Sequence, residues 1–237
     1  MRTIFKIISL IFLLPVLNSC DTFCTEGEGN IEIETREVDN FKSIVLDLSA
    51  DVTVVKGQAV KIELETYTNL LKKIKTKTGS GGKLKLSSSG CISADKKIKI
   101  RITMPQLEGL EINGSGNILL PDTFIVDKIN LEINGSGDIK ASFVAAEIES
   151  EINGSGSIIL SGSANINNAE IMGSGYIKAT DLPCNEASVE VDGSGDAYVY
   201  VIKKLDVKLN GSGTVHYRGK PQLNSSVNGS GKVVDEN

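Results

Sequence analysis

The sequence predicts an all-β chain wound as a parallel β-helix, a solenoid with coils of about 19 residues. Three observations carry that expectation. A short glycine-rich motif recurs seven times, starting at Asn113, Asn134, Asn153, Met172, Asp192, Asn210 and Asn228, with successive starts 21, 19, 19, 20, 18 and 18 residues apart. Self-similarity at such a period marks a stacked array. Every motif is also flanked by apolar columns: Ile112, Ile133, Ile152, Ile171, Val191, Leu209 and Val227 precede it, and Ile118, Ile139, Ile158, Ile177, Ala197, Val215 and Val233 come after it. Polar neighbours separate these positions, which is the period-two pattern of strands on either side of a corner. The third observation is that the repeat region holds no 3.6-residue apolar period, so helices are few. The period is too short for a helix-bearing horseshoe repeat or a four-stranded propeller blade. A stack of antiparallel hairpins with Asn-Gly turns is the alternative, disfavoured because equivalent residues recur in one direction instead of in mirrored order.

The corners are read as structural. They comprise Asn113, Gly114 and Gly116; Asn134, Gly135 and Gly137; Asn153, Gly154 and Gly156; Gly173 and Gly175; Gly193 and Gly195; Asn210, Gly211 and Gly213; and Asn228, Gly229 and Gly231. Glycine takes positive φ without a Cβ clash, and stacked Asn side chains can bond along a ladder and satisfy corner amides. A phosphate loop would need Gly-Lys-Ser/Thr opening a helix, and here a strand comes next. A calcium β-roll would need a regular Asp after the glycines, and only Asp138 and Asp196 occupy that place.

The first half carries a degenerate form of the same rhythm. Residues 44–54 resemble a repeat whose corner has become Ser-Ala-Asp, and 83–90 resemble another. Residues 60–66 alternate as a strand, 67–78 allow one short amphipathic helical turn, and a strand over 97–103 ends at Met104-Pro105. The expected organisation is a leader over 1–19, a tether and first strand over 20–37, and one body over 38–237 whose regular coils begin at 106.

The N-terminus points to export. Arg2 and Lys6 precede an apolar run over 7–17, too short to span a bilayer, and Leu17-Asn18-Ser19-Cys20 resembles a lipobox. Cys20 is the expected lipidation site and the chain's link to a membrane. Removing 1–19 leaves 23 basic and 30 acidic residues, a net charge of −7, which argues against nucleic acid as a partner. With Cys20 acylated, Cys24, Cys91 and Cys184 remain, enough for one disulfide and one free thiol. A Cys24–Cys91 bond is the expected pairing because it would tie the tether to the edge of the domain. No Cys/His spacing suits a zinc ion, and no cofactor is expected.

The lipobox, the opening strands and the repeated Ile-Asn-Gly-Ser-Gly corners together resemble the putative auto-transporter adhesin, head GIN domain family over roughly 38–218. That resemblance implies a right-handed β-helix, a place in the cell envelope as an outer-membrane lipoprotein, and by name a role in adhesion. It implies no catalytic residues.

One further column stands two residues before the motifs: Glu111, Glu132, Glu151, Glu170 and Glu190, then Lys208 and Ser226. In-register coils would align five carboxylates, and like charges so placed repel. The stripe is therefore a candidate face for cations or a basic partner, set against the simpler expectation of solvated Glu relieved by Lys140, Lys178 and Lys208. Trp is absent and the only histidine, His216, sits in a mixed outward column with Lys140, Lys178 and Tyr198. Coil lengths vary by only three residues, so no insertion large enough for a pocket is expected. An enzyme is disfavoured. The expected partners are the membrane, an unidentified protein or glycan, and a second copy of the chain through the uncapped last coil.

Overall fold

A computed structural model describes residues 24–79 and 81–237. The leader and Cys20 lie outside the described residues. The first half contains β1 (Thr25–Glu26), β2 (Ile31–Arg36), β3 (Ser43–Asp47), β4 (Ala50–Lys56), β5 (Lys61–Tyr67), α1 (Thr68–Leu71), β6 (Ile74–Thr78), β7 (Lys83–Ser88), β8 (Ile92–Ser93) and β9 (Ile98–Met104). The second half contains β10 (Gly109–Gly114), β11 (Asn117–Gly135), β12 (Asp138–Gly154), β13 (Ser157–Gly173), β14 (Tyr176–Gly193), β15 (Asp196–Gly211), β16 (Thr214–Arg218), β17 (Gln222–Gly229) and β18 (Lys232–Asp235).

From β11 to β15 each strand occupies a whole coil and breaks only at the Ser-Gly of a corner. Neighbouring coils pair parallel, with each motif lying on the one before: Ile112 on Ile133, Asn113 on Asn134, Gly114 on Gly135, and so on to Gly211 on Gly229. This is a parallel β-solenoid of about seven turns. The alternation read from the sequence sets which side chains turn inward. Ile112, Ile133, Ile152, Ile171, Val191 and Leu209 are all fully buried, as are Ile139, Ile158, Ile177, Ala197 and Val215. Burying an Ile or Val side chain contributes roughly 1.5–3 kcal/mol. Stacked columns of them form one continuous core.

The N-terminal half departs from simple stacking in chain order. β10 lies on β3 and β3 lies on β7, while the start of β11 lies on β4 and β4 lies on β9. The coil of residues 43–56 is thus sandwiched between the regular coils and a later segment, 83–104. Antiparallel pairs β2–β5, β5–β9 and β6–β7 then close that end. Antiparallel cover protects edges that would otherwise template pairing with another chain. At the opposite end β17 is exposed along its length. Leu223 and Val227, which continue inward columns, are 38% and 41% exposed there.

Cys24 and Cys91 are joined as a disulfide with Cα atoms 4.5 Å apart, beside the short parallel pair β1–β8. Cys184 is a free thiol in the core, and burial pushes its pKa up to about 12. It is a packing residue without thiolate reactivity.

One inward column contains a polar residue. Ile129, Ile148, Asn167, Ala187 and Leu205 stack in register, and Asn167 is fully buried with no hydrogen-bonding partner for either amide atom among the described residues. Ser150, 3% exposed, is likewise unpartnered. An unsatisfied buried amide costs roughly 1–3 kcal/mol. Replacing it with an apolar side chain of similar shape removes that cost. Asn167→Leu is expected to raise the thermal unfolding midpoint; a lowered midpoint would show that the amide stabilises the coil.

Candidate binding surfaces

The corner motif builds a hydrogen-bonded ladder on the outer surface. In three successive coils the Asn amide nitrogen donates twice, once within its coil and once to the coil before. Asn113 donates to Glu111 at 2.9 Å and Asp47 at 2.7 Å. Asn134 donates to Glu132 at 2.6 Å and to the Asn113 oxygen at 3.1 Å. Asn153 repeats this with Glu151 at 2.7 Å and Asn134 at 3.0 Å. The glutamate column is therefore an acceptor row for the asparagine column, and each bond to a charged acceptor is stronger than a neutral one. The corner amides are satisfied differently from the expectation. Backbone bonds from the corner Ser of the six later motifs to the first glycine of the previous coil meet that need, as in Ser136 to Gly114 at 2.8 Å and Ser155 to Gly135 at 2.9 Å.

The donor row is interrupted over two coils, at Met172 and Asp192. At Met172 the donor is missing, and Glu170 makes no hydrogen bond among the described residues. Glu170 is exposed, whereas Glu111, Glu132, Glu151 and Glu190 are half-buried. Loss of part of its hydration to the surrounding protein, then the charges of Glu151, Glu190 and Asp192, raises its pKa above the ordinary carboxylate range. In the Asp192 coil Glu190 pairs with Lys208, and the ladder resumes from Asp192 through Asn210 to Asn228. Of the three lysines expected to relieve the stripe, only Lys208 does so; Lys140 and Lys178 form no ion pair among the described residues. Nor, among those residues, do three His, Cys, Asp or Glu side chains converge as a metal site.

Both glycines of the stacked corners are held by close approach of the coil before, as at Gly154, where a Cβ would stand 2.3 Å from the Gly135 carbonyl oxygen. The first carries a second constraint as well. Only the first takes positive φ, for example +136° at Gly154. The second is held by proximity: a Cβ at Gly175 would stand 2.5 Å from the Gly156 carbonyl oxygen and 2.8 Å from Ile152 Cγ2.

A second surface lies on the outward side of the strands that leave the corners. An open groove of about 680 Å3 crosses the coils from β13 to β16. The expectation that no coil departs enough to make a pocket fails here. β14 bulges: Ala179 pairs with Val199 and Pro183 with Tyr200, so Thr180, Asp181 and Leu182 have no counterparts in β15. Leu182 is buried in the core, while Thr180 and Asp181 form part of the groove lining. Bulges re-aim side chains in this way. The floor is aromatic. Tyr176 is 40% exposed, and Tyr198 stacks on His216 with ring centroids 4.5 Å apart and planes 6° from parallel. His216 Nδ1 lies 2.7 Å from Glu236 Oε1, and Asp196 accepts the Thr214 amide at 2.8 Å. Lys178, Asp181 and Arg218 also line the groove, and the side chains of these three make no hydrogen bond or ion pair among the described residues. The sequence held a trace of this site, since four of the five tyrosines and the only histidine fall within 176–217. The stacking register brings Tyr176, Tyr198 and His216 to one face, while Tyr217 packs against the core.

Among the described residues no helix is long and apolar enough to cross a membrane. A family model described as "Putative auto-transporter adhesin, head GIN domain" matches residues 40–221. No similar protein is found among curated sequences. A solved structure of a "putative adhesin" from Bacteroides fragilis is 22% identical, covers 89% of this chain and 99% of its own, and superposes with a TM-score of 0.84. A "putative lipid binding protein" from Parabacteroides distasonis is 24% identical, covers 90% and 99%, and superposes at 0.76. A further "putative adhesin" from Parabacteroides merdae, 20% identical over 90% and 99%, superposes at 0.71. At these identities the likeness is one of fold.

The energetics of the corner are testable by substitution. Because the folded state holds the Glu170 proton to higher pH than the unfolded chain does, its ionisation lowers stability as pH rises from the ordinary carboxylate range to its raised pKa. Glu170→Gln should therefore raise the melting temperature at neutral pH and leave it unchanged in acid, where Glu170 is protonated in both states. Met172→Asn should stabilise at neutral pH by restoring the donor; an unchanged melting curve for both variants would remove the ladder defect as an energetic feature. Gly175→Ala forces a methyl against backbone and should destabilise by about 1–3 kcal/mol, read by chemical denaturation.

Proposed function

The chain belongs to the head GIN domain family, and on that premise we propose that it is a cell-envelope binding module, adhesin-like and without catalytic activity, held to the outer membrane through lipid on Cys20. The observation that carries the binding reading is the groove over β13–β16, an open aromatic and polar surface on a body whose coils are locked in register. Concave sites with a few convergent polar groups are where ligands bind. Its ionisable groups favour holding a ligand over transforming one. His216 is stacked on Tyr198 and bonded to Glu236, with no serine or cysteine among the described residues bonded to it as a nucleophile. The groove's polar and charged lining favours a hydrophilic ligand over an acyl chain, which sets it apart from the lipid-binding description of the Parabacteroides protein.

Lipidation rests on Leu17-Asn18-Ser19-Cys20 and on the apolar leader before it. Display outside the cell is tested by protease shaving of intact cells, monitored with an antibody to the folded domain. Loss of the domain is the expected result, and Cys20→Ala should move the protein out of the membrane fraction. Full protection until the outer membrane is opened would overturn the adhesin reading in favour of a partner within the envelope.

A further inference from the structure

We propose that the lysine-rich β6–β7 pair at the closed end docks on anionic lipid headgroups of the membrane to which the chain is tethered. The choice of partner rests on the lipidation at Cys20 proposed above.

Residues 72–88 hold six lysines and no carboxylate. β6 and β7 run antiparallel, and β6 is the last strand of the sheet at this end. Ile74, Leu84 and Leu86 are buried, while Lys75, Lys77, Lys83 and Lys85 stand exposed on the outer face. Lys77 is directly opposite Lys85, an arrangement of like charges that costs stability. Lys85 pairs with Asp47, and Lys83 with Glu111 at 3.5 Å. The side chains of Lys72, Lys73, Lys75 and Lys77 have no hydrogen bond or ion pair among the described residues.

The local charge is positive with every neighbour counted. The Arg36 guanidinium bonds the Leu71 and Ile74 carbonyls, each at 2.6 Å, and the Thr78 hydroxyl bonds the Asp39 carbonyl at 3.3 Å. Residues 36–39 therefore run beside β6 and bring Glu37 and Asp39 near. Arg36 and Lys42 are matched by Glu34 and Glu108. Six lysines then stand against Glu37, Asp39, Asp47 and Glu111, which leaves two positive units. The two parts of the body differ in the same sense. Residues 24–104 carry 14 basic and 11 acidic groups, a net +3, and residues 105–237 carry 9 and 18, a net −9.

The tether sets the partner. Cys24 is bonded to Cys91, and Ser89 donates its amide to the Lys73 carbonyl at 2.8 Å, so the disulfide lies at the Lys73 end of the pair. Four residues from Cys20 to Cys24 span at most about 14 Å. Lipid on Cys20 would hold these lysines at the headgroups, where an anionic leaflet attracts them. An acyl anchor and a basic patch are two signals that together give stable attachment. An acidic protein could meet the same lysines, but no tether would keep it there.

The attraction also sets a posture. The Lys77–Lys85 column continues in register through Val45 into the glutamates from Glu111 to Glu190. An anionic surface attracts one end of that column and repels the rest, so the solenoid stands on its closed end instead of lying on this face.

The test is acetylation footprinting of lysines, read by mass spectrometry, on the protein purified from membranes and added to preformed vesicles. One set is phosphatidylcholine, the other an equimolar mixture with phosphatidylglycerol. Lysines of 72–77 should react more slowly on the anionic vesicles, by roughly threefold or more, and molar salt should abolish the difference. Lys140 in β12 and Lys178 in β14 should react equally on both. Replacing Lys75→Gln and Lys77→Gln together should at least halve the protection of Lys72 and Lys73 without lowering the melting temperature. Equal rates at 72–77 on the two vesicles, or protection that survives molar salt or the double substitution unchanged, would overturn the proposal. Anchor and patch fail separately, because the mass of the N-terminal peptide reports the lipid. An acylated protein with equal rates keeps the anchor and removes the patch. An unacylated protein protected on anionic vesicles alone keeps the patch and removes the anchor.

Discussion

Everything in this molecule depends on how closely one coil can approach the next. The corner backbones sit so near each other that a side chain on the second glycine would collide with the carbonyl beneath it, and seven corners meet that demand in the same way. Once the corners are in contact, parallel hydrogen bonding carries the register around each coil. Like residues then fall on like residues. Isoleucines become columns of core, and asparagines become a ladder that takes up the carboxylates two positions earlier. The glutamate stripe looks repulsive as a row of charges. It is tolerated because Glu111, Glu132 and Glu151 each accept from an amide donor at the same height and Glu190 pairs with Lys208. In the Met172 coil the donor is lost, and there the carboxylate stands exposed with a raised pKa.

Much of this was legible in the sequence, for a physical reason. A solenoid repeats one local solution, so the period, the apolar columns and the glycine corners are each written several times over. The short helix at Thr68–Leu71 and the strand ending at Met104 also lay within reach of local pattern. The coil order of the first half did not. Residues 43–56 and 83–104 carry weak repeats, and nothing local says that the later segment lies beneath the earlier one. The role of the second glycine was hidden as well, because its constraint is a contact between coils and not a dihedral angle within one.

The binding face was legible only as a bias in composition. Tyr176, Tyr198 and His216 are spread over three coils, and only the stacking places them together. Asp181 reaches the groove through a bulge of three residues, a change in length no greater than the ordinary scatter among coils. Small irregularities in a regular array are where a featureless surface acquires a distinct place.

The disulfide at the closed end has a consequence for geometry at the membrane. Cys24 is bonded to Cys91 in the outermost coil, and only three residues separate Cys24 from Cys20. With Cys20 lipidated as proposed, the closed end is drawn down to the bilayer and the solenoid is free to rise from it like a short mast. In the strand order β7-β3-β10-β11-β12-β13-β14, six steps separate the anchored coil from the centre of the groove, about 30 Å at the usual strand spacing. That height is several Debye lengths at physiological salt, where one is about 8 Å. A ligand arriving at the groove of an upright molecule would be screened from the charge of the lipid surface and would meet the protein's own field alone.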